Sequence, residues 1–230
     1  MTKRAILAAF CAVLLAGFLA ADKATTVDQS KCPVGKMKFN GGIYFGTSST
    51  GRVDLYMSTV YVWKGTVAAP GGTMTLMGSR ARSDGNRYIL TINRITIAAG
   101  DPVIMTFQPP WTGLPLYTAT IAAPVFIRYL SPANEAIVRL SAVGSLPIIW
   151  SGGTPPYVLN IRQLDPERSV FNLRGIAGTR VDVPLRTFAP ARRYHVTVYD
   201  AGRRFVFDRD VDPATDLYLN QTTSLFFNTN

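Results

Sequence analysis

The chain is poor in the residues that enzymes and metal sites are usually built from. It has one histidine, His195, and two cysteines, Cys11 and Cys32. A zinc centre takes three or four N, S or O ligands, so one histidine cannot assemble the usual set. A hydrolytic triad needs a nucleophile beside its histidine and a carboxylate behind it. No Gly-x-Ser-x-Gly turn is present to offer that nucleophile. Cys11 lies inside an apolar N-terminal run, which leaves Cys32 alone in the remainder, and one thiol makes no internal bridge. Helical periodicity over ten residues is missing throughout Gly41 to Phe107. These gaps argue against catalysis, cofactors and a disulfide framework, and they point away from helices.

What is present suits strands. The 230 residues include 15 prolines and 19 glycines, spread as turns between short apolar stretches. A chain of this length makes one large or two small domains and buries on the order of 70% of its extended surface. Charged residues are only 17%, and aromatic and β-branched residues are plentiful, so the composition is not that of a disordered chain. The net charge is +10, from 24 Lys plus Arg against 14 Asp plus Glu. Such a balance is compatible with nucleic acid, anionic lipid or an acidic polysaccharide. The basic residues are interleaved with acids, however, and no nucleic-acid motif accompanies them.

Met1 to Arg4 carries positive charge, and Ala5 to Ala21 carries none. This is the layout of a secretory signal peptide cut after Ala21. The run is also near the lower limit for a membrane span of roughly 17–25 residues, so an uncleaved anchor is the other reading. Export places the expected site of action in the periplasm or outside the cell, and it argues against nucleic acid as a partner.

Residues 22–40 read as a polar linker and residues 41–130 as a β domain without a recognised family. Within it, the apolar phase of Val53 to Lys64 slips near Ser58, as a bulge would make it do. Gln108 to Pro115 holds three prolines and a glycine, which no central strand accepts, so it is an interdomain linker or a long loop. Residues 131–212 read as a second domain of seven short strands. Residues 213–230 are a last strand packed on the body, or a tail offered to a partner's sheet edge.

The second domain carries a resemblance. Phe188-x-Pro190-x-x-x-Tyr194-x-Val196-x-Val198 alternates strictly after a fixed turn. Upstream, Trp150 closes one apolar stretch, and Tyr157 opens the next after Ser151 to Pro156. This spacing resembles the corner of fibronectin type III and related immunoglobulin-like sandwiches. The resemblance implies that Trp150, Tyr157, Pro190 and Tyr194 are structural, with the Tyr194 hydroxyl bonded back to upstream backbone. It implies no reaction.

Candidate chemistry is thin. Gly46 to Val53 echoes a phosphate loop, but Arg52 and Val53 replace its lysine and hydroxyl, and no helix follows. Asp208, Asp210 and Asp212 have the spacing of a calcium loop, but Pro213 stands where such a loop needs glycine. Ten arginines lie between Arg162 and Arg209. Arg192, Arg193, Arg203 and Arg204 would flank one hairpin with Asp200 to Gly202 at its tip. With Phe226 and Phe227 of the tail, they are the candidate partner contacts.

The expectation is an all-β chain of two β domains, the second an immunoglobulin/fibronectin-III-like sandwich. It would be an exported, non-catalytic binding or structural subunit of a bacterial envelope assembly. It would bind other envelope proteins, with oligomerisation open and with no cofactor. The alternative is a carbohydrate- or cell-wall-binding module that stacks sugar on Trp63, Trp111 and Tyr117. An enzyme would need a carboxylate pair such as Asp54 with Asp101.

Overall fold

The computed structural model describes residues 32–48, 52–141 and 143–230. The expected signal segment, most of the expected linker, the middle of the Gly46–Val53 stretch and Ala142 lie outside the described residues. Among the described residues, nineteen strands and one 3-10 turn (Leu185–Thr187) form two units. Each unit has its own apolar core.

The first unit begins with β1 (Met37–Thr47), β2 (Val53–Lys64), β3 (Val67–Ala68), β4 (Thr73–Leu76), β5 (Ser79–Arg80), β6 (Arg82–Asp84) and β7 (Arg87–Ile92). It continues with β8 (Pro102–Gln108) and β9 (Tyr117–Ala122). The second holds β10 (Arg128–Ser131), β11 (Ala136–Val138), β12 (Ser145–Ser151), β13 (Tyr157–Leu164), β14 (Glu167–Ile176), β15 (Arg180–Pro184) and β16 (Arg193–Tyr199). The chain then returns to the first unit through β17 (Arg203–Arg204) and β18 (Val206–Phe207), and ends in β19 (Asp216–Thr229).

β19 is the axis of the molecule. Its fourteen residues alternate half-buried and buried without a break, the period-2 pattern of a strand with one covered face. One edge pairs in parallel with β1, Asn40 opposite Asp216 to Thr47 opposite Thr223, and farther along with β11. The other edge pairs antiparallel with β16 and, nearer its start, with β17. One sheet therefore runs through both units in the order β14-β13-β16-β19-β1-β2-β7-β6. Leu217 and Leu219 enter the first core, and Leu225 and Phe227 enter the second.

Each unit completes its sandwich with a separate sheet. In the first, β18-β9-β8-β4-β5 covers the core. Phe39 packs there edge-on to Phe107 at 5.6 Å and stacks on Phe207 at 4.7 Å. In the second, β10-β12-β15 faces β14-β13-β16-β19-β11. Three strands facing five, the fifth the short parallel β11, make the second unit immunoglobulin-like.

Several expectations need correction. Of the two readings of Gln108–Pro115, the long loop is the one formed: it joins β8 to β9, which pair with each other within the first unit. Trp111 pins it to the core. The change of core falls between Ala123 and Ile127, ahead of the expected boundary at 131. Residues 203–212 belong to the first unit: Phe205 is in its core, and β18 pairs with β9. The bulge near Ser58 is present, with the β2–β7 register shifting between Met57 and Val60. The β1–β2 register shifts at the same place, between Gly42 and Ile43, with Ser58 the extra residue. Gly41 sits there at φ +148°, where a β-carbon would collide with the Thr59 carbonyl. Only glycine fits.

Polar groups fasten the passage between units. The Gln221 amide is buried; its oxygen accepts from Ile127 N at 3.0 Å, and its nitrogen donates to Val125 O and to Asp200 Oδ2. Asp200 Oδ1 accepts from Gln221 N at 3.0 Å. The connecting segment Val125–Ile127 is thus clasped to the shared strand. Such buried groups must be paired, because leaving one unmet costs about 1–3 kcal/mol.

Candidate functional site

The corner expected from the sequence is formed. Ala189 N donates to the Tyr194 hydroxyl at 2.7 Å, and the hydroxyl faces Ala189 O at 3.4 Å. The bond satisfies the polar tip of a buried ring. Tyr194 stacks on Phe227 at 5.1 Å, and Phe188 closes on both edge-on. Pro190 is exposed in the turn between them. Trp150 meets Tyr157 edge-on at 5.4 Å, and the Tyr157 hydroxyl donates to Gly152 O at 2.9 Å. Trp150, Tyr157 and Tyr194 hold the fold through these contacts.

The structure separates the four arginines. Arg193 lies opposite Asn228, and Arg204 lies opposite Tyr218. Ten residues of one strand at about 3.3 Å each put the two pairs about 33 Å apart. The reason is the conformation at Asp200–Gly202. It is no hairpin tip but a kink between β16 and β17, which follow one another along the same edge of β19. Gly202 takes φ +67° there, and a β-carbon on it would collide with Asn220 Oδ1.

Each arginine has its own partner. Arg193 binds Glu135 and lies over the Phe226 ring at 4.9 Å. Phe226 also stacks on His195 at 4.7 Å. Burial, and then the Arg162 charge, hold the His195 pKa below its usual value. Arg203 donates to Ala122 O. Arg204 reaches Asp216 and the Tyr218 hydroxyl, each at 3.3 Å. Arg192 is exposed, and its backbone N–H donates to Thr229 Oγ1. Phe227, a candidate contact, is buried in the second core and offers nothing to a partner. The tail is a central strand, because its alternation finds a covered face in both units.

The aspartates do not converge. Asp208 accepts from Thr118 N, Asp210 pairs with Lys36, and Asp212 accepts from Ala214 N. The strand ends at Phe207, so the alternation that would have aligned them is lost. Among the described residues no three His, Cys, Asp or Glu side chains are placed to hold a metal. Asp54 is bound by Arg52, Arg94 N and the Tyr56 hydroxyl, and Asp101 caps Ala98 N. Burial pushes the Asp54 carboxyl up, but these hydrogen bonds and the Arg52 charge hold it below its usual value overall. It is a structural carboxylate. Cys32 is exposed and unbonded to sulfur.

Of the rings expected to stack on sugar, Trp111 and Tyr117 are buried. Trp63 is half-exposed, beside Tyr61 at 5.6 Å and under Lys38.

Two surfaces remain that the residue patterns alone do not reveal. One is the free edge of β14. The other is a trough on the outer face of the first unit, of about 400 Å³, over Gly41 and Gly42. Its aromatic lining is Tyr44, Tyr61 and Tyr218. Those tyrosines sit on three strands, so only the strand register brings them together.

No family model matches the chain, and no curated protein matches it. Among solved structures it is similar to the two-domain IG1+IG2 fragment of DIP-gamma. Identity there is 11% over 85% of this chain and 98% of that one, at a TM-score of 0.24. It is also similar to the titin fragment I67–I69, at 12% identity and TM-score 0.27, over 86% of this chain and 66% of that one. Chicken CNTN1 FN1–FN3 gives 12% and 0.24, over 86% and 68%. The fold assignment rests on the strand pairing and the tyrosine corner.

Proposed function

We propose that this chain is an exported, non-catalytic binding subunit of a bacterial envelope assembly, working through protein–protein contacts. The supporting observation is β14. It is ten residues long, stands at the end of the sheet order, and has a free backbone edge among the described residues. Leu173 pairs with Leu159 of β13, so it faces inward, yet it is 41% exposed. The reason is width. Three strands face five, so the wider sheet overhangs at β14. Its neighbours Val170 and Phe171 are half-buried under the same lip. A free edge above an apolar lip takes a partner strand by backbone pairing, with alternate side chains in the overhang. Glu167, Arg168 and Arg174 on that strand discourage pairing with identical copies.

A photoreactive residue at Leu173, in the full chain in its own cells, tests this. The expected result is a discrete protein adduct at Leu173 and none at Ser83, on the opposite edge of the sheet. Leu173→Asp should abolish capture by a second probe at Arg174. No adduct from a folded chain would overturn the reading. Export is tested by fusing residues 1–40 to alkaline phosphatase, which is active only outside the cytoplasm.

A further inference from the structure

We infer that the trough over Gly41 and Gly42 is a glycan-binding site for uncharged, equatorially substituted β-1,4-linked pyranose chains. The inference is independent of the β14 edge and concerns the other unit.

The floor comes first. On β1, Gly42 and Gly46 face outward on either side of Tyr44. A β-carbon on Gly42 would lie 2.6 Å from Tyr44 ring carbons, and one on Gly46 would lie 2.7 Å from Tyr56 Cε2. Each ring therefore lies over a glycine and is half-buried, with Tyr44 in the trough and Tyr56 beside it. A tyrosine between bulky neighbours would stand on edge. The walls come from the flanking strands. Tyr61 rises from β2, and Asp216, Tyr218 and Asn220 line β19, opposite Asn40, Gly42 and Tyr44 respectively. From Asn40 to Tyr44 the trough runs about 13 Å along the strand, at about 3.3 Å per residue. That is room for an oligosaccharide of a few rings.

The chemistry selects the class. No aliphatic side chain lines the trough. A protein partner anchors in apolar pockets, which are missing here. A pyranose needs flat rings for its C–H face and planar polar groups for its hydroxyls. The hydroxyls of Tyr44 and Tyr61 and the amide of Asn220 have no hydrogen-bond partner among the described residues. They are free to meet a ligand. Asp216, the charged group of the lining, is neutralised by Arg204, which also lies over the Tyr218 ring at 5.5 Å. The site therefore favours neither anions nor cations. Equatorial substitution suits flat rings, because it leaves axial C–H groups on both faces of each sugar, so either face can lie on a ring. Beyond Tyr61, which is 38% exposed, Trp63 extends the row of rings and gives a longer chain a further contact.

The test is calorimetric titration of the full chain with cellohexaose and with chitohexaose. Saturable binding of at least one is expected. Tyr61→Ala should weaken it about tenfold or more, because a stacked ring and its buried area are lost. Tyr61→Phe should stay within about threefold, since the ring remains. Leu173→Asp should leave sugar binding unchanged while it removes the β14 contact, so each reading can fail without the other. Tyr61 is an exposed side chain, and a melting curve matching that of the wild type is the check that its variant is folded. Absence of binding by either hexasaccharide at millimolar concentration overturns the inference. So does a Tyr61→Ala variant that binds as the wild type. A discrete protein adduct from a photoreactive residue at Tyr61, without sugar binding, would make the trough a protein contact and likewise overturn it.

Discussion

The two ends of β19 belong to the same strand and serve different architectures. From Asp216 to Thr223 it lies parallel to β1, a strand that precedes it by 176 positions at the Asn40–Asp216 pair. From Thr222 to Thr229 it pairs antiparallel with β16, only 23 to 35 positions upstream. The near end therefore builds a unit whose signature is local. Phe188, Pro190, Tyr194 and Phe227 form one corner within about 40 residues of chain. The far end builds a unit that closes only when the first and last described strands meet. The difference teaches that the second unit can organise its corner early, while the first must wait for the whole chain. Long-range pairing has to meet its loop-closure cost before it gains stability.

This contrast can be broken outright. Removing residues 217–230 takes the central strand from both cores at once. The expected outcome is loss of cooperative melting for the entire chain by circular dichroism. A truncated chain that still melts cooperatively would mean that one unit stands without the shared strand.

A finer cut is to empty one core at a time. Phe227→Ala in the second core should cost about 3–5 kcal/mol, and Leu219→Ala in the first about 2–5 kcal/mol. Because β19 is continuous, each is expected to lower the urea midpoint of both units. The reporters are Trp150 in the second core and Trp111 in the first. Independent units would show one midpoint moving and the other fixed.

The clasp between units should matter less. Gln221→Ala leaves Ile127 N, Val125 O and Asp200 Oδ2 without that partner, at a cost of about 1–3 kcal/mol. Hydrogen exchange at Val125–Ile127 should rise well before exchange in β13 or β8. Unchanged exchange there would mean the segment is held by packing alone.

The smallest effect is a titration at the face of the second unit. Burial, and then the Arg162 charge, depress the His195 pKa below its usual value of 6.5. Unfolding lets the ring take up a proton, so the unfolded chain binds more protons in that window. Its contribution to stability is therefore present above pH 6.5 and is lost as pH falls toward the folded pKa. His195→Gln should flatten the slope of melting temperature between about pH 5 and 7 relative to wild type. Identical slopes would mean that His195 titrates alike folded and unfolded.

Much of the fold was legible because strand alternation is a local property. The pattern over Tyr194–Val198, the slip at Ser58 and the Pro–Tyr corner each lie within a few residues. Sequence patterns misplaced Arg203–Asp212, because a short apolar stretch does not reveal which sheet will pair with it. They also misread Trp111. A tryptophan among prolines looks exposed, yet it anchors its loop to a core drawn from residues as far away as Phe205. The trough was out of reach for the same reason. Tyr44, Tyr61 and Tyr218 share no spacing, and only the register of β2, β1 and β19 aligns them.

The sequence by itself determined that this chain is made of strands, that it carries one histidine and two cysteines, and that Tyr194 would turn a corner. Those follow from periodicity, from composition and from a motif whose contacts are all nearby. Only the tertiary structure decided that one strand is shared by two sandwiches, that four arginines stand far apart, and that flat tyrosine rings lie over glycines. Each of these depends on which backbone edges find one another, and hydrogen bonds between edges carry no record in the order of side chains.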